Sequence, residues 1–348
     1  MKKRQFLFAG LGAFVATSGL LLGARYTIQQ TETSHSNEDA LIEQQKSTLA
    51  FGTVVTVQAR HENSTVLVAA IDAALQAIKQ VNDLMSIYEK NSQLSQLNKN
   101  GFLNNAHPWL LEILKQSQAM AEISNGLFDI TVQRLWETYA QASIENRTPS
   151  PLEIQTAKKL IDWRSISINN DQILLNHKDI QLTLNGIAQG YASQKATEVL
   201  KQFGIKHALI NAGEFASLGK ASSDRNWNLG LENPEIFSKD KSNKDILGRL
   251  QLDGRYIATS SAAYTTFTQD RKNHHIFDPR TGHSPTEILS VTVLAETGAV
   301  ADALTKPLFM MSPQASLDFL KKIPGTDAVI LTRERNWIVT EGAKFDLV

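Results

Sequence analysis

The chain has 348 residues, 42% hydrophobic and 20% charged, enough apolar material for one large domain or two intimate ones. Basic and acidic residues number 35 each, and a formal net charge of zero argues against nucleic acid as the main partner. Cysteine is absent, which excludes disulfides, thiolate metal sites, a cysteine nucleophile and a lipidated N-terminal cysteine; any metal must sit on oxygen or imidazole, favouring Mg²⁺ or a similar hard cation over zinc.

Lys2, Lys3 and Arg4 precede an apolar run from Phe6 to Ala24. Residues 1–24 therefore read as an export signal, either cleaved or retained as a membrane anchor. Lys3-Arg4-Gln5-Phe6-Leu7 is similar to a twin-arginine signal with Lys in place of the first Arg. The expected location is outside the cytoplasm, periplasmic or anchored in the inner membrane and facing the periplasm. Residues 25–48 are polar and aperiodic and read as a linker, so the folded domain is expected over 49–348, starting near Phe51.

Thr53–Gln58 alternates like a strand, and Ser64–Leu84 carries a helical stripe of Val68, Ile71, Leu75, Ile78 and Val81. A helical turn is expected at Ser92–Leu97 and a helix over Pro108–Ile123, stopped at Ser124-Asn125-Gly126. Ser150 with Glu153 three residues on starts another helix. Strands follow at 166–168, 173–175 and 180–184, then a helix from Gly186 to Phe203 and a buried strand over His207–Asn211. Further strands are expected at 227–231, 249–252, 257–260, 275–277 and 290–294. Helices over Ala299–Met311, which Pro307 should kink, and Pro313–Lys322 precede strands at 328–331 and 337–339. Residues 233–247, rich in Ser, Lys, Asp and Asn, read as a surface loop. Without regular βαβ alternation, the fold class is α+β: a mixed, mainly antiparallel sheet with packed helices.

Chemistry concentrates in a few motifs. His275-Ile276-Phe277-Asp278-Pro279-Arg280-Thr281-Gly282 fixes an imidazole, a carboxylate and a guanidinium around one turn. The first can take a proton near neutral pH, and the last can clamp phosphate oxygens. Asn185-Gly186-Ile187-Ala188-Gln189-Gly190-Tyr191 places two glycines at a strand-to-helix junction, where free N–H groups suit an anion. Its spacing is not that of a dinucleotide-binding fingerprint. Ile210-Asn211-Ala212-Gly213 ends a strand on small residues; Leu127, Phe128 and Asp129 follow a helix stop, and Tyr88 adds an aromatic. Asp302, with Thr305 and Lys306 one turn on, is either half of a hard-cation site or an i,i+4 ion pair with Lys306.

Taken together in this order, from Phe51-Gly52-Thr53 to beyond Met311, these motifs resemble the FAD:protein FMN transferases, the ApbE-type flavin transferases. The resemblance implies that FAD is the substrate, bound with Mg²⁺ on its pyrophosphate. An acceptor Thr or Ser hydroxyl attacks the FMN phosphorus and AMP leaves. It also implies that the acceptor belongs to a membrane redox complex. By position, His275 would be the base and Arg280 its companion. Asp302, the Ala188 carbonyl, and Thr305 or Lys306 would be at the metal. Phe51, Tyr88, Leu127, Phe128, Asp129, Asn185, Tyr191 and Asp278 would hold the cofactor. The chain departs from the family pattern at Lys306, where Thr is usual, and at Asn185, Gln189, Glu214-Phe215 and Ser261-Ala262-Ala263. Two functions follow: an active transferase, with Thr305 or water as substitute ligand, or a flavin-binding or delivering accessory with little or no activity.

Overall fold

The computed structural model describes residues 41–234 and 246–348. The signal segment and residues 235–245 of the expected surface loop lie outside them. Among the described residues, eight α-helices and three sheets make an α+β architecture in which every strand pairing is antiparallel.

Strands β1 (Ile42–Ala50) and β2 (Thr53–His61) form a hairpin closed by Phe51-Gly52. The expected linker over 25–48 therefore ends before Ile42, and the fold begins nine residues ahead of Phe51. The inward positions of β1 are Gln44, Lys46 and Thr48 rather than aliphatics, and Lys46 meets Asp72 of helix α1 at 2.6 Å. A polar inner face leaves no hydrophobic alternation to read.

Helix α1 (Ser64–Met85) is capped by the Asn63 side chain, which accepts the Thr65 and Val66 N–H groups, and buries Ile71, Leu75, Ile78 and Val81. Helix α2 (Gln93–Asn100), strand β3 (Phe102–Leu103) and α3 (Pro108–Ile123) follow. Helix α4 (Gln133–Ile144) was not legible: its inner face rests on Leu135, Tyr139 and Ala142, too sparse a stripe to stand out. Helix α5 (Pro151–Lys158) opens on the Ser150/Glu153 capping box. Strands β4 (Ile166–Asn169) and β5 (Gln172–Leu175) join β3 in a small sheet.

The strand expected over 180–184 is absent. Ile180, Leu182 and Leu184 are buried as the alternation requires, but no strand pairs with them. The Asn98 side chain bonds both the Leu182 N–H and carbonyl, and Thr183 N–H donates to Ile130. A side-chain amide has replaced a strand partner.

Helix α6 (Ala188–Gln202), β6 (His207–Asn211), β7 (Phe215–Leu218), β8 (Asn228–Glu232), β9 (Ile246–Gln251) and β10 (Tyr256–Ser261) come next. The chain then runs through β11 (Ile288–Ala295), α7 (Gly298–Phe309), α8 (Pro313–Leu320), β12 (Asp327–Thr332), β13 (Trp337–Val339) and β14 (Phe345–Leu347). The main sheet has the order β1-β2-β6-β7-β10-β11-β12-β13. Residues 275–277 form no strand; only the isolated bridges Thr266–His274 and Asp278–His283 flank them.

Helix α6 packs between α1 and α7, and all three lie on the main sheet around one large core. Their crossing brings Gly190 and Gly298 into backbone contact. A Cβ on either would overlap the other's carbonyl oxygen, so both positions require glycine. That approach sets the geometry of everything below.

Candidate active site

Because the starts of α6 and α7 touch, Asp302 reaches across to α6, and its Oδ2 accepts the Gly190 N–H at 3.1 Å. Its Oδ1 receives the Lys306 ammonium at 2.5 Å, and Lys306 Nζ also donates to the Asp302 carbonyl at 3.1 Å. The i,i+4 ion pair is thus the reading that the structure adopts, with Asp302 buried and the Lys306 side chain 19% exposed. Lys306 lies over Gly186: a Cβ there would stand 2.8 Å from Lys306 Cε and 3.5 Å from Nζ. Glycine at the strand-to-helix junction makes room for the lysine.

Thr305, expected as a substitute ligand, is fully buried. Its hydroxyl donates to the Asp302 carbonyl at 2.7 Å and meets Ser260 Oγ at 2.7 Å, so it is turned into the protein. Ala188 is the buried first residue of α6. A hard divalent cation does not fit these residues as they stand. Placed about 2.1 Å from Asp302 Oδ1, it would lie within about 4.6 Å of the Lys306 ammonium. Repulsion between a divalent and a monovalent charge at that distance is on the order of 7 kcal/mol at an effective dielectric near 20. Among the described residues, no three acidic or imidazole groups converge elsewhere to hold one.

Glu214 completes the charge cluster from the β6–β7 turn, with Oε2 accepting the Thr259 N–H at 2.9 Å. Burial, then the neighbouring Asp302 carboxylate, raises the Glu214 carboxyl well above its ordinary value, and Lys306 offsets this only in part. The sequence marked Glu214 as a departure and gave no reason to place it beside Asp302. It also lines a shallow, open depression with Thr259, Ser261, Tyr264 and Thr292. The partners Tyr264 and Glu232, 3.2 Å apart, were not foreseen either.

His275 stands at the edge of the same cluster. Burial, then the adjacent His274 ring and the Lys306 ammonium lower its imidazole to about 3, against a smaller upward pull from the Thr265 carbonyl. His275 is therefore neutral at physiological pH. A carbonyl can only accept, so the 3.3 Å contact from Nδ1 to Thr265 O places the proton on Nδ1 and leaves a lone pair on Nε2. A neutral ring with that tautomer can receive a proton, and a bound phosphate's negative charge would strengthen it as a base.

The remaining residues divide. Asn185 and Tyr88 come together, Nδ2 to Oη at 3.4 Å, with the Tyr88 ring 48% exposed and free to stack on a planar ligand. Phe51 sits in the β1–β2 turn at φ +53°, a left-handed conformation that costs a bulky residue about 1–2 kcal/mol. Its N–H is held by Asn82 Oδ1 at 2.8 Å, in the last turn of α1 just before Tyr88. Leu127 and Phe128 are buried, Phe128 within the main core. Asp129 is bound up in its own loop: Oδ1 accepts the Thr131 N–H and hydroxyl, and Oδ2 accepts the Trp163 N–H. Beside it, Trp163 Nε1 is buried without a partner, 4.0 Å from where a Cβ on Gly126 would stand. That orphaned donor suits a polar ligand atom, and no sequence signal pointed to Trp163.

Two expected site residues lie elsewhere. Tyr191 is fully buried and donates to Glu112 Oε2 at 2.6 Å, under the Lys195 ammonium, because its position on α6 faces α3 rather than the Gly186 turn. Arg280 is spent locally, with Nε and Nη2 on the Asp278 carboxylate at 3.0 and 2.7 Å. The turn they form is pinned by Tyr139, whose hydroxyl donates to the Gly282 carbonyl, and a Cβ on Gly282 would press on Ile154 and Lys158 of α5.

The ApbE family model matches residues 51–330. The chain is 24% identical over 281 residues to the FAD:protein FMN transferase of Klebsiella pneumoniae, across 78% of this chain and 85% of that protein. It is 26% identical over 278 residues to the enzyme of that name from Haemophilus influenzae, across 76% and 79%. The crystal structure of the ApbE protein from Thermotoga maritima superposes with a TM-score of 0.76 at 25% identity, across 86% of this chain and 97% of that one. The flavin transferase ApbE from Vibrio cholerae shares the fold with a TM-score of 0.68 at 20% identity, across 88% and 97%. With a family model spanning most of its length, the chain belongs to the ApbE family.

Proposed function

We propose that this protein transfers FMN from FAD to a threonine or serine hydroxyl of an acceptor protein. The acceptor oxygen bonds to the FMN phosphorus, the pyrophosphate P–O bond breaks, and AMP departs with the bridging oxygen and its electron pair. The hydroxyl proton goes to His275 Nε2. Such transfer depends on in-line positioning and charge neutralisation more than on covalent help. The observation that carries the reading is the neutral His275, its tautomer set by Thr265, beside the Lys306–Asp302 pair at the start of α6. The flavin is assigned to Tyr88, Asn185, Phe51 and the Gly126 loop with Trp163, on the exposed ring of Tyr88 and the unpartnered Trp163 Nε1. The Mg²⁺ expected from the resemblance is not carried into this reading, because its place on Asp302 is taken by Lys306.

The test mixes the purified protein with FAD and candidate acceptor domains and reads the acceptor's intact mass. An FMN adduct is expected, and His275→Ala should abolish it while FAD still binds; an unchanged rate in that variant would refute the base assignment. The ion pair also favours a second reading, a flavin-binding or delivering accessory of an exported electron-transfer system. FAD binding with no adduct across several acceptors would select it. The basic, apolar segment 1–24 supports export to the periplasm or anchoring at the inner membrane, with a membrane redox complex as the acceptor's setting. Protease protection of the full-length protein in intact and permeabilised cells tests that placement.

A further inference from the structure

Asp302, Lys306 and Gly186 form a unit whose chemistry differs from that of a metal site. The Asp302 carboxylate has one oxygen on the Gly190 N–H and the other on the Lys306 ammonium. Of the three protons on Lys306 Nζ, two are placed on Asp302 Oδ1 and O, which leaves one for a ligand. The ammonium lies over the Gly186 turn, where the missing side chain admits it. Glu214 adds a second buried carboxyl within electrostatic reach of the same lysine.

We infer that Lys306 is the resident cation of this site: its ammonium occupies the position and supplies the charge that a divalent ion would otherwise bring, and FAD binds through its pyrophosphate without a divalent metal. The inference rests on the flavin-transfer reading for the identity of the ligand, but the occupancy of Asp302 by Lys306 stands apart from it. A Lys ammonium is a compact point charge suited to phosphate oxygen, and tethering it by i,i+4 pairing keeps it in place before the ligand arrives.

The experiment uses the full-length protein, stripped with chelator, and Mn²⁺ as the probe. Free Mn²⁺ is followed by its electron paramagnetic resonance signal, with FAD present and absent, and FAD affinity is measured in chelator and in Mg²⁺. The wild type should show no stoichiometric Mn²⁺ site, and its FAD affinity should change by less than about twofold between the two buffers. Lys306→Thr should gain one Mn²⁺ per chain and a FAD affinity at least about tenfold dependent on the metal, whereas Lys306→Arg should stay indifferent to it. Stoichiometric Mn²⁺ on the wild type, or FAD that dissociates in chelator and returns with Mg²⁺, would overturn the inference. So would a folded Lys306→Thr protein that gains no site, or FAD binding in neither buffer. Metal-indifferent FAD binding with no FMN adduct on any acceptor would defeat the transferase reading and leave the inference standing.

Discussion

Replacing Gly190 with alanine sets two physical effects of opposite sign against each other. In the middle of an exposed helix, Gly→Ala stabilises by about 1 kcal/mol, because alanine loses less backbone entropy on folding. Here the new Cβ would overlap the Gly298 carbonyl oxygen and stand 2.7 Å from Asp302 Cβ. Both are backbone or buried groups that cannot swing aside, so α6 and α7 must part. Overpacking of that kind costs about 1–3 kcal/mol. Parting the helices also lengthens the 3.1 Å bond from Gly190 N–H to the Asp302 carboxylate, and a hydrogen bond to a charged group is worth about 1.5–3 kcal/mol. The net expectation is a loss of roughly 2–5 kcal/mol. For a domain of this size that is a fall in Tm of roughly 3–8 °C, read by circular dichroism or calorimetry. Lys306 should also be displaced, so FAD affinity should fall in the fraction that remains folded. An unchanged or raised Tm would mean that helix propensity governs this position and that the crossing is looser than drawn, and the placement of Asp302 against α6 would fall with it.

Acid sensitivity should arise in part from His274, which is fully buried, with Nε2 on the Pro285 carbonyl at 2.8 Å and Nδ1 facing the Ile276 N–H. Burial lowers its imidazole from 6.5 to about 4. The unfolded chain therefore binds the extra proton between those values, and stability present above about 6.5 is lost as pH falls towards 4. The full contribution is on the order of 3 kcal/mol. Urea midpoints at several pH values should show His274→Gln with a shallower fall than the wild type over that window; parallel curves would refute the assignment. Tyr88→Ala should weaken FAD binding by about tenfold through loss of a stacking face, while Tyr88→Phe keeps it within about threefold, as fluorescence titration can decide. Equal losses in both would mean that the hydroxyl contact to Asn185, not the ring, matters.

Much of the fold was legible because its central elements carry a strong period. The stripe of α1, the capping box of α5 and the Gly-bounded start of α6 each tie sequence directly to local structure. What was hidden lacked an apolar pattern or took its partners from far along the chain. Strand β1 turns Gln44, Lys46 and Thr48 inward, and segment 180–184 looks like a strand but is satisfied by the Asn98 side chain. The site divides in the same way. Motif spacing marks His275, Asp302 and Lys306, and the structure sets them near one another. It does not mark Glu214 and Trp163, because what matters about them is a neighbour over 50 residues distant in one case and 37 residues distant in the other. Tyr191 was misplaced because a helical motif names its residues without saying which face each one takes.

The same distinction bears on Arg280, which the turn sequence offers as a phosphate clamp. Its guanidinium is 58% exposed and lies on Asp278, two residues away, and its partners in the structure belong to its own turn. Burial raises the Asp278 carboxyl, but the bonds from the Arg280 side chain and N–H outweigh it and hold the group below its ordinary value. An exposed pair of this kind contributes about 0.2–1 kcal/mol, and Asp278 keeps its backbone bond to the Arg280 N–H, 2.9 Å, when the guanidinium is removed. Arg280→Ala should therefore lower stability by less than about 1 kcal/mol and leave the KM for FAD within about threefold. Asp278→Ala should cost more, because it releases that N–H and loosens the corner from which the chain runs back to His275. Its signature should be a lower kcat for FMN transfer with little change in FAD affinity. If Arg280→Ala instead raised the KM for FAD by tenfold or more, the guanidinium would have to leave Asp278 for the pyrophosphate when substrate binds. The local pair would then be a resting position, and the positive charge facing the phosphates would be shared between Arg280 and Lys306.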